Sequence, residues 1–79
     1  MEKNQVFETV KKYILDQLTV SEDRITESAA IVDDLGADSA NLMMLVMDLE
    51  AEFNITVEDD AISSIRTVGD IVDYIAKKV

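Results

Sequence analysis

DDLGADSANLMMLVMDLEAE, residues 33–52, decides how this 79-residue chain is read. It opens on acidic residues and one glycine, sets Ser39 beside an aspartate, and then runs into a helical pattern. Asp38 suits a helix N-cap, because its carboxylate can accept from a first-turn N–H that has no intrahelical partner. Ser39 then takes the first helical position, at the positive end of the helix dipole. A phosphate ester there gains about 0.3–1 kcal/mol from the dipole. Gly36 permits a sharp turn or a close approach to another backbone.

The helix after Ser39 carries two apolar stripes. Leu42, Leu45, Val46, Leu49 and Phe53 follow the i, i+3, i+4, i+7 spacing of a core-facing stripe. Ala40, Met44, Met47 and Ala51 repeat on the opposite side. So short a chain cannot cover both faces. The first stripe is therefore read as core and the second as an exposed landing surface beside Ser39.

Outward from this helix, residues 3–18 form an amphipathic helix with Val6, Val10, Ile14 and Leu18 on one stripe. Phe7 and Tyr13 flank that stripe, Lys3, Glu8, Lys11, Lys12 and Asp16 face outward, and Glu8 and Lys12 are spaced as an i, i+4 ion pair. Residues 19–37 make a long connection without periodicity, pinned by Val20, Ile25, Ile31 and Leu35, with a short helical turn near 29–33. After Asn54 breaks the pattern, Glu58, Asp59 and Asp60 suit the first turn of a short helix ending near Ser64, with Ala61 and Ile62 inward. Thr67 as N-cap and Asp70 three residues on open a final helix, whose stripe is Val68, Ile71, Val72, Ile75 and Val79. Gly69 weakens that helix slightly. The expected fold is all-α: a small four-helix bundle of three longer helices and one short one, with a long loop between the first two, in a single domain over 1–79.

Composition narrows the chemistry. The chain has no cysteine, histidine or tryptophan. Disulfides, Cys/His zinc sites and histidine-based catalysis are excluded. Net charge is −10, and residues 25–65 hold ten acidic residues and no lysine or arginine. That field repels nucleic acid and anionic membranes and speeds encounter with basic protein patches. No apolar run approaches the ~20 residues of a membrane span, and the first residues do not open a signal peptide, so a cytoplasmic protein is expected. Neither Asp33, Asp34 and Asp38 nor Glu58, Asp59 and Asp60 match the calcium-loop spacing, so no metal site is expected beyond weak counterion binding.

The extended motif resembles the acyl carrier proteins. D-L-G-A-D-S at 34–39, L-V-M-x-L-E at 45–50, A-E-F at 51–53 and T-V-G-D-I-V-D-Y-I at 67–75 carry the similarity, which covers nearly the whole chain. It implies a non-catalytic carrier with 4'-phosphopantetheine from coenzyme A attached covalently to Ser39, and an acyl group held as a thioester on the arm. Asp38 would support Ser39. The implied partners are a phosphopantetheinyl transferase and acyl-chain synthesis or transfer enzymes with basic docking patches. Those enzymes would meet a face made of Ala40, Met44, Met47, Asp48, Ala51 and Glu52. Two features depart from the family's pattern: Ala40 stands where leucine usually follows the serine, and Asn41 and Met44 stand where acidic residues are usual. Fatty-acid biosynthesis is the default pathway for a free-standing, acidic carrier, and a monomer is expected. The alternatives are a dedicated carrier (polyketide, lipid modification or D-alanyl transfer) and, from another class, an unmodified acidic helical adaptor.

Overall fold

The computed structural model describes residues 2–79. Among them are four α-helices: α1 (Lys3–Gln17), α2 (Ser39–Phe53), the short α3 (Asp59–Ser64) and α4 (Val68–Lys78). The expected all-α architecture is the one observed. Buried aliphatic side chains from α1, α2, α4 and the long loop join in one cluster, with α1 packed against both α2 and α4. Val6, Val10 and Ile14 of α1 and Ile71, Val72 and Ile75 of α4 are almost wholly removed from water. Burying each such side chain contributes roughly 1.5–3 kcal/mol. Leu18 is only partly buried, and Val79 is exposed, since α4 ends at Lys78 and the last residue lies past the packed stripe.

The long connection is better anchored than its composition suggests. Ile25, Ala29, Ile31, Leu35 and Ala37 are buried, whereas Val20 is only partly so. One 3-10 turn spans Glu22–Arg24. The turn expected near 29–33 lies slightly later, where Asp34 and Leu35 N–H both donate to Ala30 O at 2.9 and 3.1 Å. The loop also caps α4. Gly69 N–H donates to Glu27 O at 2.8 Å and Val68 N–H to Ala29 O at 3.0 Å, while Ile31 N–H donates to Arg66 O at 2.9 Å. Ala30 and Thr67 form an isolated antiparallel bridge there. First-turn donors of α4 that no helix can satisfy are thus taken by loop carbonyls. Gly69 is what lets the two backbones meet: a Cβ on it would lie 2.8 Å from Glu27 O. Its cost to helix propensity is the condition for that strap.

Charged side chains on α1 differ from the expectation. Glu8 pairs with Lys11 at 3.1 Å rather than with Lys12. Lys11, expected to face outward, keeps its side chain only 17% exposed, reaches Glu22 at 3.0 Å and lies over the Phe7 ring. Its aliphatic stem covers apolar surface while its ammonium finds two carboxylates. Lys3 ties α1 to the loop and to α4 through Glu27 at 3.4 Å and Asp73 at 2.7 Å. Exposed pairs of this kind contribute little each.

Both expected caps of α4 are present. Thr67 Oγ1 accepts from Asp70 N–H at 3.1 Å, and Asp70 Oδ2 accepts from Arg66 and Thr67 N–H at 3.0 and 3.1 Å. Those two backbone donors hold the Asp70 carboxyl below its ordinary value of 3.8. A carboxyl more acidic when folded than when unfolded stabilises the fold above the unfolded value, and that stability is lost as pH falls through the folded value. Asp70→Asn is therefore expected to lower stability at pH 7. The gap to the parent should close below about pH 4, near the ordinary carboxyl value. Urea unfolding at several pH values checks this; a gap independent of pH would contradict it.

Candidate functional site

The approach to α2 is built as a rigid step. Leu35 and Ala37 are buried on either side of Gly36, whose φ of +77° makes the turn between them. A Cβ on Gly36 would meet nothing within 4 Å, so the turn, and not a close approach, explains this glycine. Gly36 N–H donates to Val32 O and Ala37 N–H to Ile31 O, both at 3.1 Å, and the Asp34 carboxylate accepts Ala30 N–H at 2.8 Å. The chain enters α2 from a loop already closed on itself.

Asp38 is the N-cap. Its Oδ1 accepts from Asn41 N–H at 2.8 Å, and Asn41 Oδ1 accepts in return from Asp38 N–H at 3.2 Å. Sequence reasoning found the cap but missed this reciprocal bond, because the usual third residue of a capping box is Glu or Gln. In the sequence Asn41 stands out only as a departure from an acidic pattern. Ser39 is the first residue of α2 and is exposed. Its hydroxyl takes no part in the side-chain hydrogen bonds of the described residues. A nucleophilic oxygen thus sits in water, on a fixed backbone, at the positive end of a 15-residue helix. These residues fit a phosphate ester: the oxygen is accessible, the dipole favours the charge, and the cap does not depend on the serine.

Downstream, α2 divides as its two stripes predict. Leu45, Val46 and Leu49 are buried, Leu42 and Phe53 are partly so, and Ala40, Met44, Met47 and Ala51 are exposed. Met44 and Met47 expose 56% and 62% of their surface, and Met43, not singled out from sequence, 43%. Asp48 and Glu52 are exposed too, yet each carboxylate is already engaged. Asp48 Oδ2 accepts from Gln17 Nε2 at 2.8 Å and Glu52 Oε1 from the Tyr13 hydroxyl at 2.6 Å. Residues four apart on α1 meet residues four apart on α2 in reverse order, so the two helices run antiparallel. The bond to Glu52 holds the Tyr13 phenol above its ordinary value. At the far end of α2, Asn54 adopts φ +54°, and Glu50 Oε2 accepts Val57 N–H at 2.8 Å, turning the chain towards α3.

The acidic residues around Ser39 serve their own backbones. Asp34 and Asp38 each accept a nearby N–H, and among the described residues no group of three or more acidic side chains is placed to hold a metal ion. No helix among them is long and apolar enough to cross a membrane.

Known proteins resemble this chain in sequence and in fold. The family profile described as the phosphopantetheine attachment site matches residues 8–75. The acyl carrier protein of Thermotoga maritima is 49% identical over 77 residues, covering 98% of this chain and 95% of that protein. Among solved structures, the acyl carrier protein of Enterococcus faecalis superposes with a TM-score of 0.85 at 37% identity, over the full length of both chains.

Proposed function

The chain belongs to the acyl carrier protein family, and from that membership we propose that Ser39 bears the arm and that the carrier serves fatty-acid biosynthesis. The protein is a non-catalytic carrier whose cofactor is covalently attached 4'-phosphopantetheine. When bound, the arm supplies the terminal thiol that holds an acyl group as a thioester, which a chain without cysteine cannot offer itself. The observation that carries the assignment is the exposed Ser39 on the step formed by Gly36, buried Ala37 and the Asp38 cap. Asp38 supports it by fixing the first turn. The carrier acts as a cytoplasmic monomer, and a phosphopantetheinyl transferase installs the arm.

Ala40, Met44, Met47, Asp48, Ala51 and Glu52 form the face that meets the synthesis enzymes. Its acidic members attract basic patches, and its methionines, flexible and polarizable, adapt to more than one partner. A dedicated carrier is the second reading. The exposed Met44 favours it, because an altered face selects an altered clientele. One experiment separates the two. Arm-bearing chain is incubated with a reconstituted set of fatty-acid synthesis enzymes, and the mass of the thioester-bound group is followed. Growth by successive two-carbon units is expected; loading of one acyl or aminoacyl group without growth would favour the dedicated route. In the same assay Met44→Glu is expected to change the transfer rate with at least one enzyme. Its stability should move by no more than about 0.5 kcal/mol, as for an exposed residue. Unchanged rates with every enzyme would remove Met44 from the docking face.

A further inference from the structure

Gln17 closes α1 with its side chain turned two ways. Nε2 donates to Asp48 Oδ2 at 2.8 Å. A carboxylate only accepts, so the amide's orientation is fixed by its partner. Oε1 is left buried, with no hydrogen-bond partner among the described residues. Gln17 lines a void of about 10 Å³ walled by Ile14, Leu18, Ile31 and Leu45, in which Asn41 is the only other polar residue. Asn41 is fixed as well: its Oδ1 faces the Asp38 N–H, which only donates, so Nδ2 keeps its protons for another acceptor.

An unmet buried acceptor is costly, and a void near the roughly 10–15 Å³ that one water needs, with two polar residues on its wall, suits a single solvent molecule. We propose that one water is bound here, donating to Gln17 Oε1 and accepting from Asn41 Nδ2, and that Gln17 is through it a positioning residue for Ser39. The hydrogen bonds then run from Asp48 to Gln17, through the water to Asn41, and on to Asp38, whose peptide leads directly into Ser39. The end of α1 is thereby linked to the first turn of α2, with Asp48 only tethering the outer edge of Gln17. The consequence for arm attachment rests on Ser39 being the modified residue; the water site does not.

Two variants separate this role from a plain tether between the helices. Gln17→Met fills similar space and removes the buried acceptor, whereas Asp48→Ala removes the tether and leaves the acceptor in place. NMR on the full chain reads both ends of the link. In the parent, the side-chain amide protons of Asn41 and Gln17 are expected to show contacts to a long-lived water. In Gln17→Met the contact at Asn41 disappears. The Asp38 amide then exchanges about fivefold faster, the weight of one hydrogen bond, and arm transfer to Ser39 slows by a similar factor. Asp48→Ala keeps the water contact and the parent's Asp38 exchange rate. No long-lived water in the parent, or the same behaviour in both variants, would overturn the proposal. A water contact in a chain that takes up no arm on Ser39 would leave the water site standing and overturn the attachment reading instead.

Discussion

Ser39→Ala is expected to fold as the parent does and to take up no phosphopantetheine. The residue is exposed, and the helix cap belongs to Asp38, whose carboxylate accepts Asn41 N–H. Removing the hydroxyl therefore breaks none of the hydrogen bonds that hold the step. Alanine is also the best intrinsic helix former, so stability should shift by less than about 0.5 kcal/mol. Any loss of modification is then chemical and not structural. Asp38→Ala makes the contrast: losing the cap costs about 1 kcal/mol, so lower modification in that variant would mix chemistry with fraying of the first turn. Intact mass after incubation with coenzyme A, Mg²⁺ and a transferase, alongside thermal unfolding, checks both halves. Modified Ser39→Ala chain would refute the assignment.

The largest loss of stability is expected from Leu49→Ala. Leu49 has no exposed surface and lies in the aliphatic cluster that α1, α2 and α4 share. Truncation at such a site loses both the transfer energy and the contacts around the cavity it leaves, roughly 3 kcal/mol within the 2–5 found for leucine. A domain of this size has a total stability of only about 4–12 kcal/mol. The midpoint of thermal unfolding should accordingly fall by roughly 12–24 °C. Two positions earlier on the same helix, Met47→Ala should be nearly silent, because Met47 is 62% exposed. Equal losses at both positions would mean that the two stripes of α2 are not divided as described.

The contrast between Leu49 and Met47 also shows what could be read from the sequence. Helical stripes and caps are local properties, so α1, α2 and α4, the Asp38 cap and the Thr67–Asp70 box were all legible. Interactions between distant parts of the chain were not. The hydrogen bonds from Val68 and Gly69 to the carbonyls of Ala29 and Glu27 are main chain to main chain, and such bonds leave no mark in residue types. Gly69 accordingly looked like a mild defect when it is the contact point of a strap. Lys11 turned inward because its ammonium meets both the Glu22 carboxylate, eleven residues on, and the face of the Phe7 ring. At the site, the exposed position of Ser39 at the start of α2 and the exposure of Met44 and Met47 were legible from helical spacing, whereas that of Met43 was not. The engagement of Asp48 by Gln17 and of Glu52 by Tyr13 was not, since it depends on how α1 is laid along α2.

The assignment of Ser39 is tested most directly by locating the arm on the parent chain. No lysine or arginine lies between Arg24 and Arg66, so tryptic digestion gives one peptide, 25–66, with every nearby candidate hydroxyl on it: Thr26, Ser28, Ser39, Thr56, Ser63 and Ser64. Fragmentation of that peptide by mass spectrometry reads which residue is modified. Phosphopantetheine on Ser39 alone is the predicted result. An arm on any other residue, or none on a folded chain offered to several transferases, would contradict it, and the second outcome would return the chain to the reading of an unmodified helical adaptor.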